Sequence, residues 1–276
     1  MKKMIVTLLC AAFVMTAFAG DGPLPGKFSV GENQQVRFSQ GNLQYQPNGS
    51  YWRFAEHQFD FVGGTATQGN VNYAFDRCNN ALIGPYYDCW IDLFGWGTGE
   101  NPTQTVEESR EYWEFAEWGK NTIMNAGFFS DPYRTLTWEE WFYLFVTRPN
   151  AESLRGQATV NKVHGYILLP DDWQLPKKLA FTPNPNDWTT NTYSVGQWKQ
   201  MEAAGAVFLP AGGFRSGNEM NVVGVMGFYW ASSLFEKDGE RTDDARDIFF
   251  SEKRIGPRDH EKRFYGLCVR LVQDVR

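Results

Sequence analysis

The strongest constraint on the fold lies in the last fifty residues, where GFYWASS (227–233), ARDIFF (245–250) and YGLCVRLV (265–272) are short runs dense in aromatic and β-branched side chains. Such side chains suit a pleated, half-buried surface. The intervening stretches are charged and include Gly256 and Pro257, so these runs read as three strands joined by two polar loops. The carboxyl-terminal part is therefore a sheet and not a helix bundle.

Upstream, residues 27–62 alternate apolar and polar side chains in VRFSQ, NLQYQ and YWRFA, with Asn48-Gly49 between them as a turn that tolerates positive φ. This predicts an antiparallel opening sheet. Residues 63–105, rich in Gly, Asn and Pro, show no sustained period and read as ordered loop held by their tryptophans. Helical signals occur twice. TWEE at 137–140 forms a capping box ahead of Trp138, Trp141, Phe142 and Phe145, and Arg148-Pro149 stops that helix. SVGQ at 194–197 repeats the box ahead of Val195, Trp198 and Met201, and Gly205 supplies an end. Both stripes read as core-facing. Two helices on loop-rich, mainly antiparallel sheets make an α+β chain.

Residues 1–19 carry Lys2 and Lys3, an apolar run and a closing Ala-Phe-Ala, the three parts of a secretory signal peptide, so export is expected, with a mature chain starting near Gly20. The apolar run is shorter than the ~20 residues that span a bilayer, and no other segment has the length. Residues 20–276 can bury one sizeable core, and no low-complexity linker divides them. They read as a single elaborated domain with a β-rich extension over about 20–125. A formal charge of -6 argues against a nucleic-acid partner, because phosphate binding needs a basic surface.

Past the signal stand Cys78, Cys89 and Cys268, an odd number in a compartment that permits disulfides. Cys78 and Cys89 bracket the turn-rich NNALIGPYYD, and a bridge between them would pin that loop. Cys268 lies inside the terminal strand pattern and reads as a buried, inert thiol, since reactivity needs a stabilised and accessible thiolate.

The terminal runs, RTLTWEEWFYLF at 134–145, ILLPDDW at 167–173 and AVFLPAGGFR at 206–215 together resemble the C-type lectin-like fold, in the branch that holds formylglycine-generating enzymes and many exported Bacteroidetes surface proteins. The resemblance spans most of residues 37–272. It implies a shape and leaves the activity open, because members of one fold carry unrelated functions. Formylglycine-generating enzymes oxidise a substrate cysteine with a pair of cysteines ahead of the final strand, and this chain has none between Cys89 and Cys268. That activity is not expected.

Other enzymatic signatures are missing as well: there is no GxSxG, HExxH, P-loop or CxxC. His57, His164 and His260 fall in no recognised catalytic arrangement, and each reads as a surface or hydrogen-bonded residue rather than a catalyst. Asp238, Glu240, Asp243, Asp244 and Asp247 offer oxygen ligands of the kind calcium takes, yet the sugar-binding motifs of calcium-dependent lectins are absent, and interleaved Lys237, Arg241 and Arg246 mark a solvated segment. No cofactor or metal is expected.

Recognition is the remaining reading. The segments 233–246 and 252–265 read as charged loops on a rigid sheet, where binding residues concentrate. In relatives diversified by retroelements the variable positions occupy this part of the fold, which the resemblance carries to Arg258, Asp259, His260, Lys262 and Arg263. The expectation is a non-catalytic protein whose Arg246, Arg258, Lys262 and Arg263 pair with anionic groups of a glycan or protein ligand, while Asp243 and Asp244 accept hydrogen bonds. Alternatives are a glycan-active enzyme, which needs two carboxylates across a cleft, and a subunit of a surface assembly, which needs an open sheet edge or a large apolar patch.

Overall fold

A computed structural model of the protein describes residues 22–64, 78–127 and 132–276, so the expected signal peptide lies outside the described residues. The chain is α+β and dominated by strands. In chain order these are β1 (Phe28–Gly31), β2 (Gln34–Phe38), β3 (Leu43–Gln46), β4 (Tyr51–Phe54), β5 (Leu93–Phe94), β6 (Arg155–Val160), β7 (Val163–Leu168) and β8 (Thr192–Tyr193). They continue with β9 (Val207–Pro210), β10 (Phe214–Ser216), β11 (Glu219–Asn221), β12 (Met226–Lys237), β13 (Glu240–Ser251), β14 (Ile255–Lys262), β15 (Leu267–Cys268) and β16 (Val272–Asp274). The helices are α1 (Trp138–Phe142) and α2 (Val195–Ala203).

The central sheet has the order β14-β13-β12-β15-β5, a second sheet runs β8-β6-β7-β9, and β16 pairs with β2 beside β1. Most pairings are antiparallel; β12 with β15 and β6 with β8 are parallel. The last two strands are thus paired with strands from the first hundred residues, with Val272 opposite Phe38 and Cys268 opposite Leu93. Within the stretch 63–105, read as loop, Leu93–Phe94 enter the sheet as β5, and Trp96 fixes that part by donating its Nε1 hydrogen to Ala231 O at 3.0 Å.

Alternation along β12 explains why the central sheet separates two cores. Tyr229 and Ala231 pack to one side with Ile248, Phe250 and Trp141, whereas Phe228 and Trp230 pack to the other with Ala245, Leu267 and Val269. Both faces are buried near the middle of the molecule. Trp230 donates to Phe94 O at 2.7 Å and Tyr229 to Pro210 O at 2.9 Å, which satisfies the polar ends of two large buried rings.

Both capping boxes form. Thr137 accepts from the Glu140 amide while Glu140 accepts from the Thr137 amide, and Ser194 with Gln197 repeats the exchange. Helix α1 nevertheless ends after Phe142 and passes into a wider π turn over Tyr143–Thr147. This splits the expected stripe: Trp141 and Phe145 enter the core, while Trp138 and Phe142 stay half-buried on the side facing β13 and β14.

Two expectations about turns are corrected. The β3–β4 connection is a short 3-10 turn over Pro47–Gly49, and the residue with positive φ is Ser50 rather than Asn48 or Gly49. More consequentially, the segments 233–246 and 252–265 are not loops. β12 and β13 form one long hairpin closed by Asp238-Gly239, whose φ values of 55° and 82° are those of a two-residue mirror-image turn, and β14 extends the sheet through residue 262. Charge hid the strands, because their outer halves run past the core and have no apolar face to bury.

Candidate functional site

Period-two alternation sorts the charged residues of this C-terminal ribbon onto two faces. In the register, Asp244 lies opposite Lys262, Arg246 opposite His260, and Asp247 opposite Asp259. Asp244, Arg246, Arg258, His260 and Lys262 therefore share the face toward α1. Asp243, Asp259 and Arg263 lie on the other, so the eight residues expected to form one surface do not.

The face toward α1 is built around aromatic rings. β12 carries two extra residues between the pairs Trp230↔Asp247 and Leu234↔Ala245, and this bulge reaches α1: the Ser232 amide donates to Leu136 O at 2.9 Å, and Ser233 Oγ accepts from the Trp138 amide at 3.1 Å. Past the bulge, Phe235 turns onto the same face as Arg246. The Arg246 guanidinium lies 4.5 Å from the Phe235 ring centroid and 4.8 Å from that of Trp138, and Arg258 lies 3.9 Å over Phe142. His260 stacks on Phe235 with centroids 3.8 Å apart.

Charge on this face is unevenly committed. Asp244 takes Lys262 Nζ at 2.7 Å and His260 Nδ1 at 3.0 Å, so the acidic partner of His260 comes from the neighbouring strand and not from Asp259 or Glu261 beside it in sequence. The hydrogen bond to Asp244 raises the Lys262 pKa. Arg246 and Arg258, by contrast, have no carboxylate within ion-pair distance among the described residues, and burial lowers the pKa of Arg246. Their delocalised cations are held by ring faces, a contact of about 0.5–2 kcal/mol each depending on desolvation, which leaves N–H groups for an incoming anion.

Arg263, expected to meet a ligand, is instead fully buried. It donates to Tyr112 O at 3.2 Å and Asp243 O at 3.3 Å, and stacks 5.0 Å from the Trp113 ring. Its position on the inward face of the ribbon removes it from solvent. Arg241 also lies over Trp113, at 5.2 Å, beside a cleft of about 330 Å³ lined by Trp113, Glu100, Glu111, Glu114, Asn101 and Gln104. The exposed ring of that cleft is thus engaged by the protein's own arginines.

Cys78 and Cys89 form the expected disulfide, with Cα atoms 5.3 Å apart. Cys268 is free and fully buried, and burial pushes its thiol well above the ordinary range. Among the described residues, no three His, Cys, Asp or Glu side chains converge as a metal site, and no helix is long and apolar enough to cross a membrane. One signal for the ribbon was present in the sequence. Asp238-Gly239 is a strong short-range hairpin dipeptide, and it marks a strand reversal in the middle of the stretch read as loop.

Comparison with protein-family models, with curated proteins and with solved structures returns no match.

Proposed function

We propose that the chain is an exported, non-catalytic recognition protein of C-type lectin-like fold, which holds an anionic group of a surface or extracellular ligand, glycan or protein, on the α1-facing side of β13 and β14. The observation that carries this reading is the pair Arg246 and Arg258, held on Phe235, Trp138 and Phe142 with no carboxylate partner among the described residues. In a chain of net charge -6, these two guanidinium groups lie side by side without an ion-pair partner among the described residues, with Glu139, Asp247 and Asp259 the carboxylates acting on Arg246 from farther off.

The mechanism is reversible binding. A carboxylate, sulfate or phosphate accepts from both guanidinium groups, and the rings that fix the two arginines reduce the rotamer entropy lost on association. Lys262 and His260 act through Asp244, keeping that carboxylate from neutralising the arginines. Export is motivated by the charged and apolar pattern of residues 1–19 and by the Cys78–Cys89 bridge, which persists in oxidising surroundings.

The test is an array of sulfated, uronate-bearing and neutral glycans together with extracellular proteins, probed with and without chelator. Wild-type protein binds anionic members, and the double variant Arg246→Gln/Arg258→Gln loses them while an Arg241→Gln control does not. Absence of any anionic binder, or binders indifferent to the double variant, overturns the proposal.

A further inference from the structure

The face of the ribbon turned away from α1 gathers carboxylates. Asp247 stands directly across the β13–β14 ladder from Asp259, and Glu261, opposite Ala245, is one diagonal step along. Asp247 is fully buried beside Trp230, its partner on β12, and neither carboxylate oxygen has a hydrogen-bond partner among the described residues. Like charges facing each other across a ladder destabilise it, and a buried carboxylate without a partner is costly to ionise.

No cation forms an ion pair with this cluster among the described residues, and Arg246 and Lys262 offset its charge only in part. On β13, Arg246 is the nearest positive group but its side chain is on the opposite face over Phe235 and Trp138, and Asp244 adds negative charge. On β14, Lys262 is taken by Asp244. Arg241 and Arg263 share the acidic face yet lie over Trp113, with Arg263 directed to Asp243 and Tyr112. Beyond β14, Tyr265 and Glu107 bring no positive charge. β12 contributes only the indole of Trp230 opposite Asp247. Burial and the facing carboxylates therefore favour the protonated forms of Asp247 and Glu261.

We propose that Asp247 and Glu261, set against Asp259 on the ladder, form a proton-operated latch on the edge strand: with protons on these two carboxyls, β14 pairs with β13, and with protons lost, β14 opens and carries Arg258, His260 and Lys262 away from Arg246. The latch concerns strand pairing and does not depend on what the opposite face binds. Burial, then the neighbouring carboxylates, raise Asp247 well above the ordinary carboxylate range and Glu261 to about 7. Because these folded-state values are raised, the stabilisation is fully present below the unfolded value of 4.5 and is lost as pH rises through about 7.

Amide hydrogen exchange of the full chain from pH 5.5 to 8.5, corrected for intrinsic rates, reads the latch directly. Protection over residues 255–262 falls at least tenfold across this range while β7 keeps its protection, and Glu261→Gln and Asp247→Asn hold β14 at its low-pH level throughout. The carboxyl carbon of Glu261 titrates near neutrality over the same interval. A fall of less than threefold in β14, an equal fall in β7, or an undiminished fall in Glu261→Gln overturns the proposal. Should Asp247→Asn fold poorly, the half-buried Glu261→Gln decides alone.

Discussion

His260 lies flat on Phe235, with ring centroids 3.8 Å apart and planes within 5° of parallel, and its Nδ1 edge meets Asp244 at 3.0 Å. One aromatic ring from β12 thus supports a residue two strands away and, 4.5 Å from the same ring, Arg246 of the strand between them. Replacing Phe235 by Ala removes this support. Anion binding falls about tenfold, while overall stability falls by only about 0.5–1.5 kcal/mol, because the ring is half-buried near the hairpin end. Calorimetric titration and thermal unfolding of the same sample separate the two effects.

Salt dependence distinguishes ionic recognition from ring stacking alone. Raising ionic strength from about 0.05 to 0.5 M shortens the screening length severalfold, so binding to an anionic glycan weakens in wild type. The Arg246→Gln/Arg258→Gln variant shows weak binding with little salt slope. A salt-independent wild-type affinity removes the role given to the two arginines.

The capping box of α1 has a second duty. Glu140 closes the box with Thr137 and also receives Arg134 in a two-pronged contact, with both N–O distances 2.7 Å, and Arg134 continues to Asp274 on β16. Thr137→Ala lowers stability by about 1 kcal/mol, and Glu140→Ala by more, since it leaves Arg134 with only the exposed Asp274. Urea unfolding of both variants measures the order.

Trp141 is among the largest fully buried side chains and packs 5.9 Å from the ring centroids of both Phe38 and Phe145. Trp141→Ala costs about 3–5 kcal/mol through lost burial and the remaining cavity. By contrast, reducing the Cys78–Cys89 bridge, which spans 11 positions, costs about 3 kcal/mol by freeing the unfolded chain. The thiol of Cys268 reacts with a labelling reagent only after denaturation.

Stability declines toward alkaline pH. Burial raises Asp92 to about 6 and Glu261 to about 7, against unfolded values of 3.8 and 4.5, so the folded chain binds more protons than the unfolded one in this window. Their contributions are complete below about pH 4 and disappear as pH passes 6 and then 7. The urea midpoint drops between pH 5 and 8 by the equivalent of roughly 2–4 kcal/mol. A flat or rising profile contradicts the two raised carboxyls.

By itself the sequence determined what local chemistry can determine. Thr137 with Glu140 and Ser194 with Gln197 specify helix starts because each cap bonds to residues three positions away, and the aromatic density of 227–233 and 265–272 specifies strands because those side chains need a pleated surface. Cys78 and Cys89 were close enough along the chain for their bridge to be legible. The outer halves of β12, β13 and β14 were not, since strands that run past the core lose the apolar alternation that announces a strand, and charge alone is shared by loops and exposed ribbons. Only the tertiary pairing decided which face each charge takes: one ladder register sets Arg246 beside His260, turns Arg263 inward and brings Asp247 against Asp259. Such juxtapositions come from hydrogen bonds between residues far apart in the chain, and no local pattern encodes them.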